Sequence, residues 1–205
     1  SDHGFSLGDH YIFGLFHMYE ESLKVPLVMA GAGIPQGHRV QAPVSHTNLC
    51  PTFLEACGIS PDDGEQGQLA ESLWPILTGT KQDRGPVFAE YHGTGTRSGG
   101  FMLRQGRHKL IYFVDMPAQL FDLASDPQEA INLAEIPAHA DLLADMMAAL
   151  EARVDPVAVD AQAKADQAAL IEAHGGREAV LQKMGGFSYS PPPGVRWKDM
   201  DGNQG

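Results

Sequence analysis

Cations are scarce in this chain. Fourteen Lys and Arg stand against 26 Asp and Glu, a formal net charge of −12 over 205 residues. So acidic a chain lacks the positive field that nucleic acid or an anionic membrane surface needs, which excludes both as general partners. An anionic substrate must then be held by local devices, a metal ion or a few placed cations. Cysteine is scarcer still: Cys50 and Cys57 cannot make a disulfide framework. On a helix they would lie two turns apart, too far to bridge, and both are expected as buried thiols. No apolar run approaches the ~20 residues of a membrane-spanning helix. No internal repeat and no secretory signal is visible, so the compartment, cytoplasmic or periplasmic, stays open.

What is present is the composition of a folded domain, 43% hydrophobic and 20% charged, long enough for one domain or one and a half. Residues 23–30 (LKVPLVMA) read as a buried strand, bounded by charge before and glycine after. Residues 45–57 read as a helix with Ser45 or Thr47 at its N-cap, Gly58 as its stop, and Leu49, Phe53, Leu54 and Cys57 on one stripe. A polar loop over 60–68 leads to a short helix over 69–77. Strand-like segments follow at meander spacing, over 87–91, 100–104, 109–114 and 119–123. The spacing then predicts an amphipathic helix over 137–154, with Leu142, Leu143, Met146, Met147, Leu150 and Val154 on one face. A thinner helix spans 157–174, with another turn or two over 177–184. The Pro-rich end is expected to be extended and docked by Phe187, Tyr189 and Trp197. With one or two obvious α/β strands, the front part cannot form a doubly wound sheet by itself.

The chemistry gathers in SDHGFSLGDH. Asp2 offers a hard oxygen ligand and His3 an imidazole nitrogen. Neighbouring residues reach one cation only where the backbone turns sharply, the service expected of Gly4. A plain turn, with Asp2 capping it and His3 exposed, is the alternative. His3, His10 and His17 recur every seven residues, but Gly8 and Gly14 between them argue against a helix. His10 reads as a structural hydrogen-bonding residue, and Lys24 as a partner of Glu20 or Glu21. In EYHGTGTRSGG, Glu90, Tyr91, His92 and Arg97 form a polar cluster on a Gly-rich loop. His92 and Arg97 could read the far end of a substrate, or the loop could be a solvated hairpin. Arg104, Arg107, His108 and Lys109 are the basic cluster. Strand alternation puts Arg107 and Lys109 on one face, expected to pair with Asp122 or Asp126.

SDHGFSLGDH, MYEESLKVPLVMAG, SHTNLCPTFLEACGI, FMLRQGRHKLIYF and QLFDLASDPQEAINLA occur in this order. Over roughly residues 1–154 they resemble the C-terminal half of the sulfatases of the alkaline phosphatase superfamily. The resemblance implies an α/β fold: the C-terminal part of an alkaline-phosphatase-like sandwich (1–85), a small antiparallel sheet with a packed helix (86–154), and a helical, extended C-terminal extension (155–205). It places Asp2 and His3 on two late metal ligands of the family, with calcium the expected ion and manganese, magnesium or zinc the alternatives. Histidine at the second position is more typical of bacterial sulfatases and phosphonate monoester hydrolases. The family's nucleophile is a formylglycine made in a Cys-x-Pro/Ala-x-Arg motif near its N-terminus. Cys50, followed by Pro51-Thr52-Phe53, does not match it. The chain is therefore expected to be inactive alone and to act as part of a longer sulfuric ester hydrolase on a small sulfate ester.

One departure bears on mechanism. Leu15 stands where the family places a lysine against the sulfate and the leaving oxygen, and leucine can neither donate a hydrogen bond nor offset developing charge. His17, two residues on, is the candidate catalytic replacement. His92 and Arg97 fall in the smaller sheet, whose loops lean over the family's active-site mouth, as candidate substrate contacts. A phosphonate or phosphate ester hydrolase is the neighbouring alternative. A non-catalytic module with a vestigial Asp-His site, assembled as a homo-oligomer through the C-terminal extension, is the third.

Overall fold

A computed structural model describes residues 1–31, 33–59, 70–82, 85–93 and 96–183. The loop over 60–68 and the expected anchors Phe187, Tyr189 and Trp197 lie outside these residues. The chain forms two compact units, Ser1–Ala161 and one that begins at Gln162.

The first unit opens with an unforeseen hairpin, β1 (Ser6–Leu7) and β2 (Phe13–Gly14), antiparallel with Ser6 opposite Gly14 and Leu7 opposite Phe13. A one-turn helix α1 (Glu20–Leu23) follows. Residues 24–30 then pair with no strand among the described residues, and Val28 is 92% exposed. The buried strand expected there is absent, since an apolar run needs a neighbouring ladder to bury its backbone polar groups and none of the described strands reaches it.

Ser45 and Asn48 make a reciprocal capping box: the Ser45 side chain accepts from the Thr47 N–H, and the Ser45 N–H donates to Asn48 Oδ1 at 2.8 Å. A 3-10 turn (His46–Asn48) leads into α2 (Leu49–Ala56). The buried side of α2 is not the expected apolar stripe. Phe53 is exposed, and Pro51 and Thr52 are buried. The reason is polar: the Thr52 hydroxyl donates to the Asn48 carbonyl at 2.6 Å and accepts the Leu73 N–H at 2.7 Å, turning that side toward α3 (Trp74–Leu77). Cys50 and Cys57 are both exposed, against expectation, because this rotation carries them outward.

The four later strands appear as read: β3 (Val87–Tyr91), β4 (Gly100–Gln105), β5 (His108–Phe113) and β6 (Gln119–Asp122), an antiparallel sheet in sequence order. The runs FML and LIYF are continuous rather than alternating because both faces of the sheet are covered. On one face Leu103, Leu110 and Leu120 stand in a row across three strands, with Phe101 beside them. They pack against Met146 and Leu150 of α4 (Ala140–Glu151), each fully buried apolar side chain contributing about 1.5–3 kcal/mol. On the other face Met102, Ile111 and Phe121 pack against Met18, with Tyr19 and Leu23 at the edge. The segment around α1 is thus the second lid of the sheet.

The stretch DPQEAINL, part of the family resemblance, has a structural use. Asp126 Oδ2 accepts the Ile131 N–H at 2.8 Å, and Asn132 Oδ1 accepts the Leu120 N–H at 2.9 Å. Glu129, at φ 53, turns inward and accepts the Glu20 N–H at 2.6 Å. Arg107 sits in the β4–β5 turn and pairs with Asp122 as expected, its Nε 2.6 Å from Oδ1. Lys109 does not share its face or its partner: it is fully buried between Glu20 and Glu129.

A helix α5 (Pro156–Ala173) starts where Asp155 Oδ1 accepts the Val157 and Ala158 N–H groups. In the second unit α6 (Gly176–Lys183) follows. No helix among the described residues is long and apolar enough to cross a membrane.

Candidate metal site

Ser1–Gly4 is a turn folded on itself. The Ser1 hydroxyl lies 3.3 Å from Asp2 Oδ1 and 2.9 Å from the His3 carbonyl. His3 Nδ1 donates to the Gly4 carbonyl at 2.7 Å, which leaves the lone pair on Nε2. That nitrogen lies 3.6 Å from Asp2 Oδ2. A hard oxygen and an imidazole nitrogen so spaced can share one cation, and the backbone bond to Nδ1 is the usual way a ligating histidine is oriented. Asp2's own backbone N–H, followed by the His3 imidazole, holds the Asp2 carboxyl below its ordinary range. Both side chains are open to solvent. The donor set fits part of a divalent-cation site, with further ligands needed to complete it.

Two contacts fix this turn, and neither was anticipated. The Gly4 N–H donates to the Ser22 carbonyl at 2.8 Å at the end of α1. A Cβ on Gly4 would run into the Glu21 carbonyl, so glycine is needed for close approach rather than for a left-handed turn. His46, one residue past the Ser45 cap of the 3-10 turn, donates from Nε2 to the Ser1 carbonyl at 3.0 Å. Its place beside a strong cap was the signal available in the sequence.

His17 takes a different position. Its Nδ1 accepts the Tyr19 N–H at 3.3 Å and its Nε2 lies 2.9 Å from Ser6 Oγ, on the inner side of the hairpin. Burial, the largest influence, lowers its pKa from the ordinary imidazole value. A neutral ring with both nitrogens engaged positions the hairpin; to serve a leaving group it would first have to release Ser6. Leu15 uses its carbonyl to accept the Ser22 hydroxyl at 2.5 Å.

His10 is structural, as read: its ring stacks on Tyr19 at 3.9 Å and faces Glu21 at 3.9 Å. With Glu129 these two make a second group of close donors. The Lys109 ammonium, 2.8 Å from Glu129 and 2.9 Å from Glu20, already supplies the cation there. Glu20 also pairs with Arg104 at 3.1 Å, so of the two acids of α1 Glu20 is answered by the sheet and Glu21 by His10, rather than by Lys24. His92 is turned toward the sheet, 5.4 Å from Phe101 ring to ring and 3.8 Å from Glu90. Arg97 is exposed on the same β3–β4 connection. Of the five candidates, Asp2 and His3 are brought together, while His17 and His92 keep separate local partners and Arg97 is exposed.

The profile of the family described as N-sulphoglucosamine sulphohydrolase, C-terminal, matches residues 8–155. The chain is 36% identical over 137 residues to choline-sulfatase of Rhizobium meliloti (strain 1021), covering 67% of this chain and 26% of that protein. It therefore spans about a quarter of that relative's length. A solved 2-O GAG sulfatase superposes with a TM-score of 0.64 at 28% identity, over 80% of this chain and 36% of that one. The phosphonate monoester hydrolase of Agrobacterium radiobacter gives 0.62 at 27%, over 75% and 34%. The chain, α/β in fold, therefore belongs to the sulfatases and matches their C-terminal portion, with the Asp-His-Gly turn lying before the residues that the family profile covers.

Proposed function

We propose that this chain is the C-terminal part of a metal-dependent sulfatase and contributes Asp2 and His3 to the metal site. One observation carries the reading: His3 Nε2 and Asp2 Oδ2 converge to 3.6 Å while Nδ1 is committed to the backbone. Calcium is the expected ion, with manganese, magnesium or zinc as alternatives. Bound there, it would supply a Lewis acid to polarise a sulfate oxygen. The chain's own residues set that site: His46 holds the Ser1 carbonyl, Ser22 holds the Gly4 amide, and Ser6 with His17 fixes the hairpin that follows. Leu15 gives the leaving oxygen nothing, so its charge must be met by groups outside this chain, where the formylglycine nucleophile is also expected. The substrate is a small sulfate ester; assembly through the C-terminal extension is the proposed mode of any homo-oligomer.

The likeness to a phosphonate monoester hydrolase favours a second reading, since the same two ligands suit a phosphonate ester. Full-length protein supplied with calcium should turn over 4-nitrophenyl sulfate faster than 4-nitrophenyl phenylphosphonate. The reverse order would establish the second reading. Absence of both activities together with absence of calcium binding would leave a non-catalytic module.

A further inference from the structure

Helix α1 is a single turn, and helices shorter than about 12 residues are marginal in water without outside support. Its own N-cap, Tyr19, supplies no side-chain acceptor. The acceptor comes from 109 residues away: Glu129 Oε2 takes the Glu20 N–H at 2.6 Å, a charge-assisted bond. Glu129 reaches that amide from a left-handed backbone, φ 53, which a residue with a side chain keeps only where its surroundings dictate it. Those surroundings are complete burial of the Glu129 side chain and the Lys109 ammonium. The ammonium lies 2.8 Å from Oε1, which leaves Oε2 for the amide.

The other end of α1 seats the turn that carries Asp2 and His3. The Ser22 carbonyl accepts the Gly4 N–H at 2.8 Å, and the Glu21 carbonyl lies so close to Gly4 that a Cβ has no room. Both carbonyls take those positions because residues 20–23 are wound as a helix. A continuous path therefore runs from Glu129 to the Glu20 amide, through one helical turn to the Ser22 carbonyl, and on to Gly4 beside His3. Resting on the sulfatase reading, we propose that Glu129 is a positioning residue for the metal site: by capping α1 it holds the carbonyls on which the Asp2–His3 turn is seated. Its ion pair with Lys109 serves stability, whereas its acceptor on the Glu20 amide sets the affinity for metal.

The test takes these two roles apart in the full-length protein. Lys109→Met/Glu129→Gln removes both buried charges and keeps an oxygen for the Glu20 N–H. Lys109→Met/Glu129→Leu removes the charges and the acceptor together. Calcium affinity is measured by titration calorimetry at a temperature where near-UV circular dichroism shows both variants folded. The Gln variant should bind within about threefold of wild type and the Leu variant about tenfold more weakly, the lower end of what losing an outer partner costs a metal site. By reciprocity, calcium should slow hydrogen exchange at the Glu20 amide of the wild-type protein, a readout that needs no variant to fold. Equal affinities in the two variants, with calcium binding that Asp2→Asn abolishes, would overturn the positioning role and leave the sulfatase reading standing. So would Glu20 exchange that calcium leaves unchanged. A wild-type protein that binds none of calcium, manganese, magnesium and zinc would overturn both.

Discussion

Glu20 and Lys109, 89 residues apart in sequence, meet at 2.9 Å beneath the four-stranded sheet. Lys109 is fully buried, and its ammonium also faces Glu129 at 2.8 Å, while Arg104 closes on Glu20 from the next strand. Register explains the pairing. Arg104 and Lys109 are direct partners in the β4–β5 ladder, so they present two cations side by side to the acid at the start of α1. The segment that follows the Asp2–His3 turn is thereby riveted to the C-terminal sheet.

Lys109→Met should therefore destabilise the protein by about 3–5 kcal/mol, because it strands the buried Glu129 carboxylate without a cation and leaves Glu20 with Arg104 alone. Adding Glu129→Gln should recover part of that loss. Urea unfolding midpoints check both. A Lys109→Met variant as stable as wild type would show the network to be idle.

Gly4→Ala should weaken the metal site without removing a ligand. The new methyl meets the Glu21 carbonyl, which must move, at a cost of about 1–3 kcal/mol for an overpacked site. Calcium titration calorimetry on the full-length protein should show reduced affinity with Asp2 and His3 both intact.

Asp2→Asn and His3→Ala should each lower calcium affinity sharply and nearly abolish turnover in the full-length protein, since each removes one donor of the convergent pair. Activity within a few-fold of wild type would remove the substituted residue from the ligand set.

The pH dependence of stability should carry a His17 component. Burial lowers its pKa in the folded chain, whereas the unfolded chain takes up the proton near the ordinary value of about 6.5. The unfolded state then binds more protons over that interval, so the contribution is complete above about pH 6.5 and declines as pH falls through the folded-state pKa. In His17→Gln this component is lost, and the difference in Tm between variant and wild type should change between about pH 7 and pH 5. A constant difference would contradict a depressed His17.

Exposed Cys50 and the absent strand over 23–30 show where local pattern stops being informative. Periodicity finds an apolar stripe on α2, but the Thr52 hydroxyl, bonded to Asn48 and Leu73, decides which side turns inward. An apolar run finds a strand only if another strand is there to pair with it. His46 escaped notice because its partner is the Ser1 carbonyl, 45 residues away.

By itself the sequence determined the four-stranded meander, the helix that covers one face of it, and the juxtaposition of Asp2 with His3. Each of these rests on contacts between near neighbours, on alternation, helical spacing or adjacency along the chain. Only the tertiary structure decided that residues 18–23 cover the other face, that Lys109 is a buried cation rather than a surface one, and that the hairpin turns its apolar side outward. Those outcomes depend on charge and volume matched across long separations, which no local window of sequence contains.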